Sequence, residues 1–144
     1  MVKTLESLWK QGTEFLGSKY AILGGAMSWI SEHKLVSAIS NAGGFGVIAC
    51  GSMTAELLKK EILLTKDRVM GKTFGVNIII MHPDIYQLLE VCIEQKVSHV
   101  ILAGGIPTAE MIKRLKNAQI KAISFAPTLA IAKRLVRNLS LIHI

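Results

Sequence analysis

The sequence predicts an α/β protein built on a parallel sheet whose strands are joined by helices. Three observations carry this. A strand-then-helix unit of about 25 residues repeats about five times along the 144 residues. The strand-like segments are short and almost continuously apolar, the pattern of strands covered on both faces. Four of them end in small residues, at Gly24-Gly25-Ala26-Met27, Ala49-Cys50-Gly51, Ala103-Gly104-Gly105 and Ala126-Pro127. Strands joined by a helix lie parallel. The small ends therefore share one edge of the sheet, the edge where ligands sit in parallel α/β folds. Two architectures fit the period, a doubly wound open sheet and a (β/α)₈ barrel. A full barrel needs about 250 residues.

The elements follow in order. Leu5, Leu8, Trp9 and Phe15 stand near helical spacing over residues 3–16, and Gly17 and Ser18 stop that helix. The first strand is expected over residues 21–27. Ser28 or Ser31 is placed to cap the next helix, which runs to about Asn41 and stops at Gly43 and Gly44. Residues 45–50 form the second strand. Thr54 is a good N-cap for a helix reaching about Val69, with Glu56 and Glu61 suited to its early turns and Lys66 and Arg68 to its end. A turn at Gly71 and Lys72 leads to the third strand, residues 73–80. His82-Pro83-Asp84 breaks that strand and opens a helix, since proline suits a first helical turn. Ile85, Leu88, Leu89, Cys92 and Ile93 form its apolar face. Residues 98–103 are the fourth strand. Pro107 and Thr108 start a helix with Met111, Ile112 and Leu115 inward. Residues 121–126 are the fifth strand, and a last helix spans residues 129–137.

The totals narrow the function. The chain is 51% hydrophobic and 19% charged, with mean hydropathy +0.44, so a sizeable core is expected and disorder is not. No apolar run approaches the roughly 18 residues of a membrane span, and no charged-then-apolar leader opens the chain. A cytoplasmic location without membrane partners is expected. Cys50 and Cys92 have neither disulfide-framework nor metal-ligand spacing, so both are read as core residues and no metal is expected. The net charge is +7 and the pI about 9.6. Its basic residues lie mostly on helix exteriors without interleaved aromatics, so nucleic acid is not an expected partner.

Asn77 carries the strongest chemical signal. It is an amide within an otherwise apolar strand, where asparagine is depleted and a buried amide needs partners. Alternation sets Gly75, Asn77 and Ile79 on one face. Either the neighbouring backbone satisfies the amide, or it is aimed at a bound planar ligand. Small residues at four strand ends suit a broad, flat ligand lying across them. His82 follows the third strand on the same edge and is a candidate polar group or a loop residue. His33, on a helix face expected to be exposed, and His99, at a strand start, read as structural or solvated. No dinucleotide fingerprint, Walker loop, Ser–His–Asp set, zinc set or carboxylate pair can be assembled.

Taken together, Ile22-Leu-Gly-Gly-Ala-Met-Ser-Trp29, Ser40-Asn-Ala-Gly-Gly-Phe-Gly-Val-Ile-Ala49, Phe74-Gly-Val-Asn77, Leu102-Ala-Gly-Gly105 and Pro127-Thr-Leu-Ala-Ile-Ala-Lys-Arg134 resemble, in order, the nitronate monooxygenase family. That family was once called 2-nitropropane dioxygenases, and its superfamily includes the flavin-dependent enoyl-acyl carrier protein reductases. The match covers about residues 20–138. It implies an FMN-dependent (β/α)₈ TIM-type barrel, here truncated to about the first five β/α units. It also implies flavin contacts at Ala26, Met27 and Ser28 in the first-strand motif, at the amide of Asn77, and at Ala103 and Gly104 after the fourth strand. The chain departs from the family at Ala21, often Pro there, and at Gly24 and Ala26, where Gln and Gly are frequent.

The implied activity is oxidation of alkyl nitronates with O2, a small-molecule substrate. The alternatives are NAD(P)H-dependent enoyl-thioester reduction and a non-catalytic partial barrel, with a homo-oligomer as a further expectation. The family's catalytic His lies in an Ala-Gly-Gly-His type segment after the next strand. No such segment is present, so no catalytic residue is assigned and this fragment is expected to be inactive by itself. Residues 139–144, Leu-Ser-Leu-Ile-His-Ile, abandon the pattern and resemble the translation of a transposase mosaic-end sequencing adaptor. They are expected to be a non-native tail on a partial barrel of residues 1–138.

Overall fold

A computed structural model describes residues 5–139 as a five-stranded parallel sheet with helices packed on it. Helix α1 (Leu5–Leu16) precedes β1 (Leu23–Gly24), α2 (His33–Asn41) and β2 (Phe45–Ala49). Then come α3 (Ala55–Arg68), β3 (Phe74–Ile79), α4 (Ile85–Glu94) and β4 (His99–Ala103). The last elements are α5 (Ala109–Asn117), β5 (Lys121–Ser124) and α6 (Leu129–Leu139). Of the expected tail, Leu139 closes α6 and residues 140–144 lie outside the described residues.

The strands lie in chain order, β1-β2-β3-β4-β5. A doubly wound sheet reverses direction at a switch point, whereas a (β/α)₈ barrel adds each strand beside the last. The order selects the barrel, of which these are five units.

Two apolar layers hold the sheet. On its outer face Val76, Ile78, Val100 and Leu102 pack against Leu58, Ile62, Leu88, Leu89 and Leu115 of the helices, all of them buried. Burial of each such side chain contributes roughly 1.5–3 kcal/mol. On the inner face Phe45, Val47 and Ile101 meet Leu16 of α1. That helix is tied to the amino ends of the strands. The Thr73 hydroxyl donates to the Leu16 carbonyl at 2.8 Å, and His99 Nε2 lies 2.9 Å from the Phe15 carbonyl. With α1 at the amino end, the carboxyl end stays open.

Threonine caps open three helices. Thr54, Thr108 and Thr128 accept from the peptide N–H groups of Leu57, Met111 and Ile131 at 3.2–3.3 Å. Helix α2 differs from expectation, because neither Ser28 nor Ser31 caps it. Its N-cap residue is Glu32, whose side chain makes no capping bond. Instead Glu61 Oε2 accepts from the His33 N–H at 2.9 Å and lies 2.8 Å from His33 Nδ1. Glu61 therefore serves a neighbouring helix rather than the early turns of its own. His33 is correspondingly largely buried, not on an exposed face, with its side chain 15% exposed.

Strand β1 is two residues long where residues 21–27 were expected, and β5 ends at Ser124 rather than at residue 126. Two paired positions, Leu23 with Phe45 and Gly24 with Gly46, are all that β1 shares with β2. Beyond them the chain folds back on itself. No helix among the described residues is long and apolar enough to cross a membrane.

Candidate functional site

The loop after β1 is knotted by one side chain. Ser31 is 2% exposed. Its Oγ accepts from the Met27 N–H at 3.0 Å and lies 3.2 Å from the Gly25 carbonyl, to which it donates. Its own carbonyl accepts from the Ala49 N–H at 3.0 Å, which fastens the loop to the end of β2. The Met27 carbonyl accepts from Ile30 and Ser31 at 3.1 and 2.8 Å. Met27 has thus committed its peptide groups inside the loop, and its side chain is half exposed. Ala26 and Ser28 are exposed, and among the described residues none bonds to their peptide groups. Between them and Ser31, Trp29 is held at φ 65°, a left-handed conformation uncommon for a bulky residue.

Asn77 stands on the inner face, paired in register with Ala49 on one side and Ile101 on the other. It is 9% exposed. Its carbonyl accepts from the Cys50 N–H at 3.2 Å and the Cys50 thiol at 3.0 Å. Its side-chain amide bonds to none of the described residues, yet neither amide atom is sealed from solvent. Among the described residues no neighbouring backbone group satisfies this amide, which faces solvent. Burial pushes the Cys50 thiol up to about 12, and burial and then Cys50 raise Cys92 well above its ordinary value. Both are protonated core thiols.

Ala103 and Gly104 close the third part of the edge. The Ala103 carbonyl accepts from the Ile80 N–H at 2.8 Å, and Gly104 turns the chain at φ 78°. Beside them a cavity of about 500 Å³ is lined by Gly104, Gly105, Ile106, Phe125, Ala126, Pro127 and Ile131. Among the described residues no titratable group lines it.

Of the six sequence-derived positions, Ala26, Met27, Ser28, Ala103 and Gly104 lie at or just beyond the carboxyl ends of β1 and β4, and Asn77 lies within β3, two residues before its end. His82 shares that edge, but its Nδ1 accepts from the Asp84 N–H at 3.0 Å and so serves the start of α4. His99 is at the opposite end, 1% exposed, between the ring edges of Phe15 and Phe45. Burial and nearby Lys121 lower its pKa to about 4, against the Phe15 carbonyl, which favours the proton. Glu32, His33 and Glu61 bring potential ligand atoms within 4.8 Å of one another. Glu61 Oε2 is already spent on both His33 contacts, and the cluster is accounted for as the cap of α2.

Sequence reasoning missed Ser31 and the apolar cavity. Ser31 reads as a helix cap because a serine two residues before a helix gives no sign of which way its hydroxyl turns. The cavity is shared by two loops, residues 104–106 and 125–127, that are distant in sequence.

An orphaned amide at the inner end of β3 fits a planar ring with hydrogen-bonding edges. Among the strand-end glycines Gly25 leaves open space, since a Cβ there would meet nothing within 4 Å, whereas a Cβ at Gly24 would meet Ile39 at 2.6 Å and one at Gly51 or Gly104 would meet Ile79 at 3.2 Å.

Residues 10–130 match the family model described as nitronate monooxygenase. A (3aS,4S,5R,7aS)-5-hydroxy-7a-methyl-1-oxo-octahydro-1H-indene-4-carboxyl-CoA dehydrogenase of Mycobacterium tuberculosis is 35% identical over 121 residues, covering 84% of this chain and 33% of that protein. A probable nitronate monooxygenase of Staphylococcus haemolyticus is 26% identical, covering 82% and 43%. Among solved structures, FabK from Thermotoga maritima superposes with a TM-score of 0.85 at 34% identity, covering 96% of this chain and 42% of that one. The chain thus spans less than half the length of each of these relatives.

Proposed function

The chain belongs to the nitronate monooxygenase family, and from that premise we propose that it forms the first five β/α units of an FMN-dependent oxidoreductase acting on alkyl nitronates with O2. The observation that carries the reading is the Asn77 side chain, an amide without a partner among the described residues, beside open strand ends. When bound, FMN supplies the redox chemistry, as cofactors do. This chain's residues bind and orient. Asn77 offers both a donor and an acceptor to the ring edge, Ala26 and Ser28 offer peptide groups from the β1–α2 loop, and Ala103 and Gly104 leave the ring face unobstructed. A small-molecule substrate, FMN and no metal, nucleic acid or membrane are the partners of this reading, in the cytoplasm.

A second reading, NAD(P)H-dependent reduction of an enoyl thioester, is favoured by one observation. The apolar cavity beside Gly104 lacks charged lining, which suits a hydrocarbon chain better than a small anion. The full-length protein separates the two. Flavin bleaching by an alkyl nitronate without oxygen, and none by NAD(P)H, supports the monooxygenase. Rapid bleaching by NAD(P)H supports the reductase, and bleaching by neither overturns both.

A further inference from the structure

We propose that the Ser31 hydroxyl is a positioning residue that fixes the Ala26 and Ser28 peptide groups in the orientation in which they meet the flavin. The inference rests on the flavin reading above. Its basis is how the loop divides its polar groups. The hydroxyl takes the Met27 N–H and the Gly25 carbonyl, one on each side of Ala26. Those two bonds turn both groups inward and leave the intervening Ala26 unit facing out. The Met27 carbonyl is held by the Ile30 and Ser31 N–H groups, so Ser28 is the next unit left free.

Such a loop needs a clamp. It begins with Gly24 and Gly25, the residues with most backbone freedom, and it holds Trp29 at φ 65°. An uncommon dihedral persists where surrounding contacts impose it. Because Ser31 is 2% exposed, water does not compete for its bonds. A capping role does not explain the hydroxyl, since the N-cap residue of α2 is Glu32.

The Ser31→Ala variant removes both hydroxyl bonds but keeps the Ser31 carbonyl, and with it the Ala49 bond that anchors the loop to β2. In the full-length protein three quantities are measured: the FMN dissociation constant by fluorescence quenching, the positions of the bound flavin's visible bands, and the melting temperature of the apoprotein. Ser31→Ala is expected to raise the FMN dissociation constant about tenfold, the order of one loop–flavin hydrogen bond becoming misaligned once both hydroxyl bonds are gone, and to shift the bands. Ser31→Thr, which keeps the hydroxyl, is expected to restore both. Ser31→Cys, close in size with weaker hydrogen bonding, is expected to fall between them, and it serves if the alanine variant does not fold. An unchanged dissociation constant and spectrum with a lowered apoprotein melting temperature overturns the proposal, leaving Ser31 a stability residue. Equal losses in the threonine and alanine variants overturn it too, pointing to packing. Wild-type protein that takes up no FMN instead overturns the flavin reading itself.

Discussion

At the scale of single residues, Asn77 separates ligand binding from stability. Its amide has no partner among the described residues, so Asn77→Ala strands no protein group. In the full-length protein it is expected to weaken FMN binding by roughly 1–3 kcal/mol, the usual cost of orphaning a hydrogen-bonding group. Apoprotein melting should be almost unchanged. A flavin titration beside a thermal melt checks both. The thiols give a second expectation. Thiolates, not thiols, react, and Cys50 and Cys92 are fully buried with raised pKa values. The native chain at pH 7.5 is expected to resist iodoacetamide, and the denatured chain to take two labels by mass. Labelling of the native chain would show local opening at the end of β2, beside Cys50, or at α4, which carries Cys92.

At the scale of elements, two contacts can be tested by stability. Helix α2 lies so close on β2 that a Cβ at Gly46 would come within 2.3 Å of the Val36 carbonyl oxygen. Backbone cannot yield as a side chain can, so Gly46→Ala is expected to cost about 3 kcal/mol, the upper end of ordinary overpacking. Denaturant unfolding measures it. Helix α1 is seated on His99 through the Phe15 carbonyl, which also accepts from Lys121 Nζ. A carbonyl only accepts, so Nε2 carries the proton, and Nδ1 lies 2.9 Å from the Ser98 hydroxyl oxygen, whose own proton goes to the Phe74 carbonyl at 2.6 Å. The folded pKa of about 4 lies below the ordinary 6.5. As pH falls below about 6.5 the unfolded chain takes up this proton first. The stability from neutral His99 is therefore present above that pH and is lost progressively down to about pH 4, on the order of 3 kcal/mol in all. His99→Gln should flatten this part of the stability–pH curve.

At the scale of the whole molecule, both edges of the sheet, β1 and β5, have one unpaired side. Open edges template pairing with another chain. The 144-residue chain is expected to associate with rising concentration in size-exclusion chromatography. A sharp, concentration-independent monomer that melts cooperatively would count against this, and against the reading of the chain as a non-catalytic partial barrel. The same chain is expected to hold no FMN and show no turnover. It spans 42% of FabK, and its strand ends line an open bowl where water competes for each hydrogen bond. Stoichiometric quenching of FMN fluorescence at micromolar affinity would show instead that five units suffice to bind.

The sequence by itself determined the elements and their direction. Apolar runs such as Phe74 to Ile79 and the threonine caps are local signals, set by side-chain period and by hydrogen bonds three residues apart. It also singled out Asn77, because a polar side chain in an apolar strand is conspicuous without any neighbour in view. Only the tertiary structure decided that β1 stops at Gly24, that Ser31 turns back to Met27 rather than forward to α2, that Glu61 caps α2 from α3, and that the Asn77 side-chain amide finds no partner among the described residues. Each depends on which groups arrive from distant parts of the chain. A hydroxyl or carboxylate can bond to whatever comes within about 3 Å, and residue spacing alone does not say what that is.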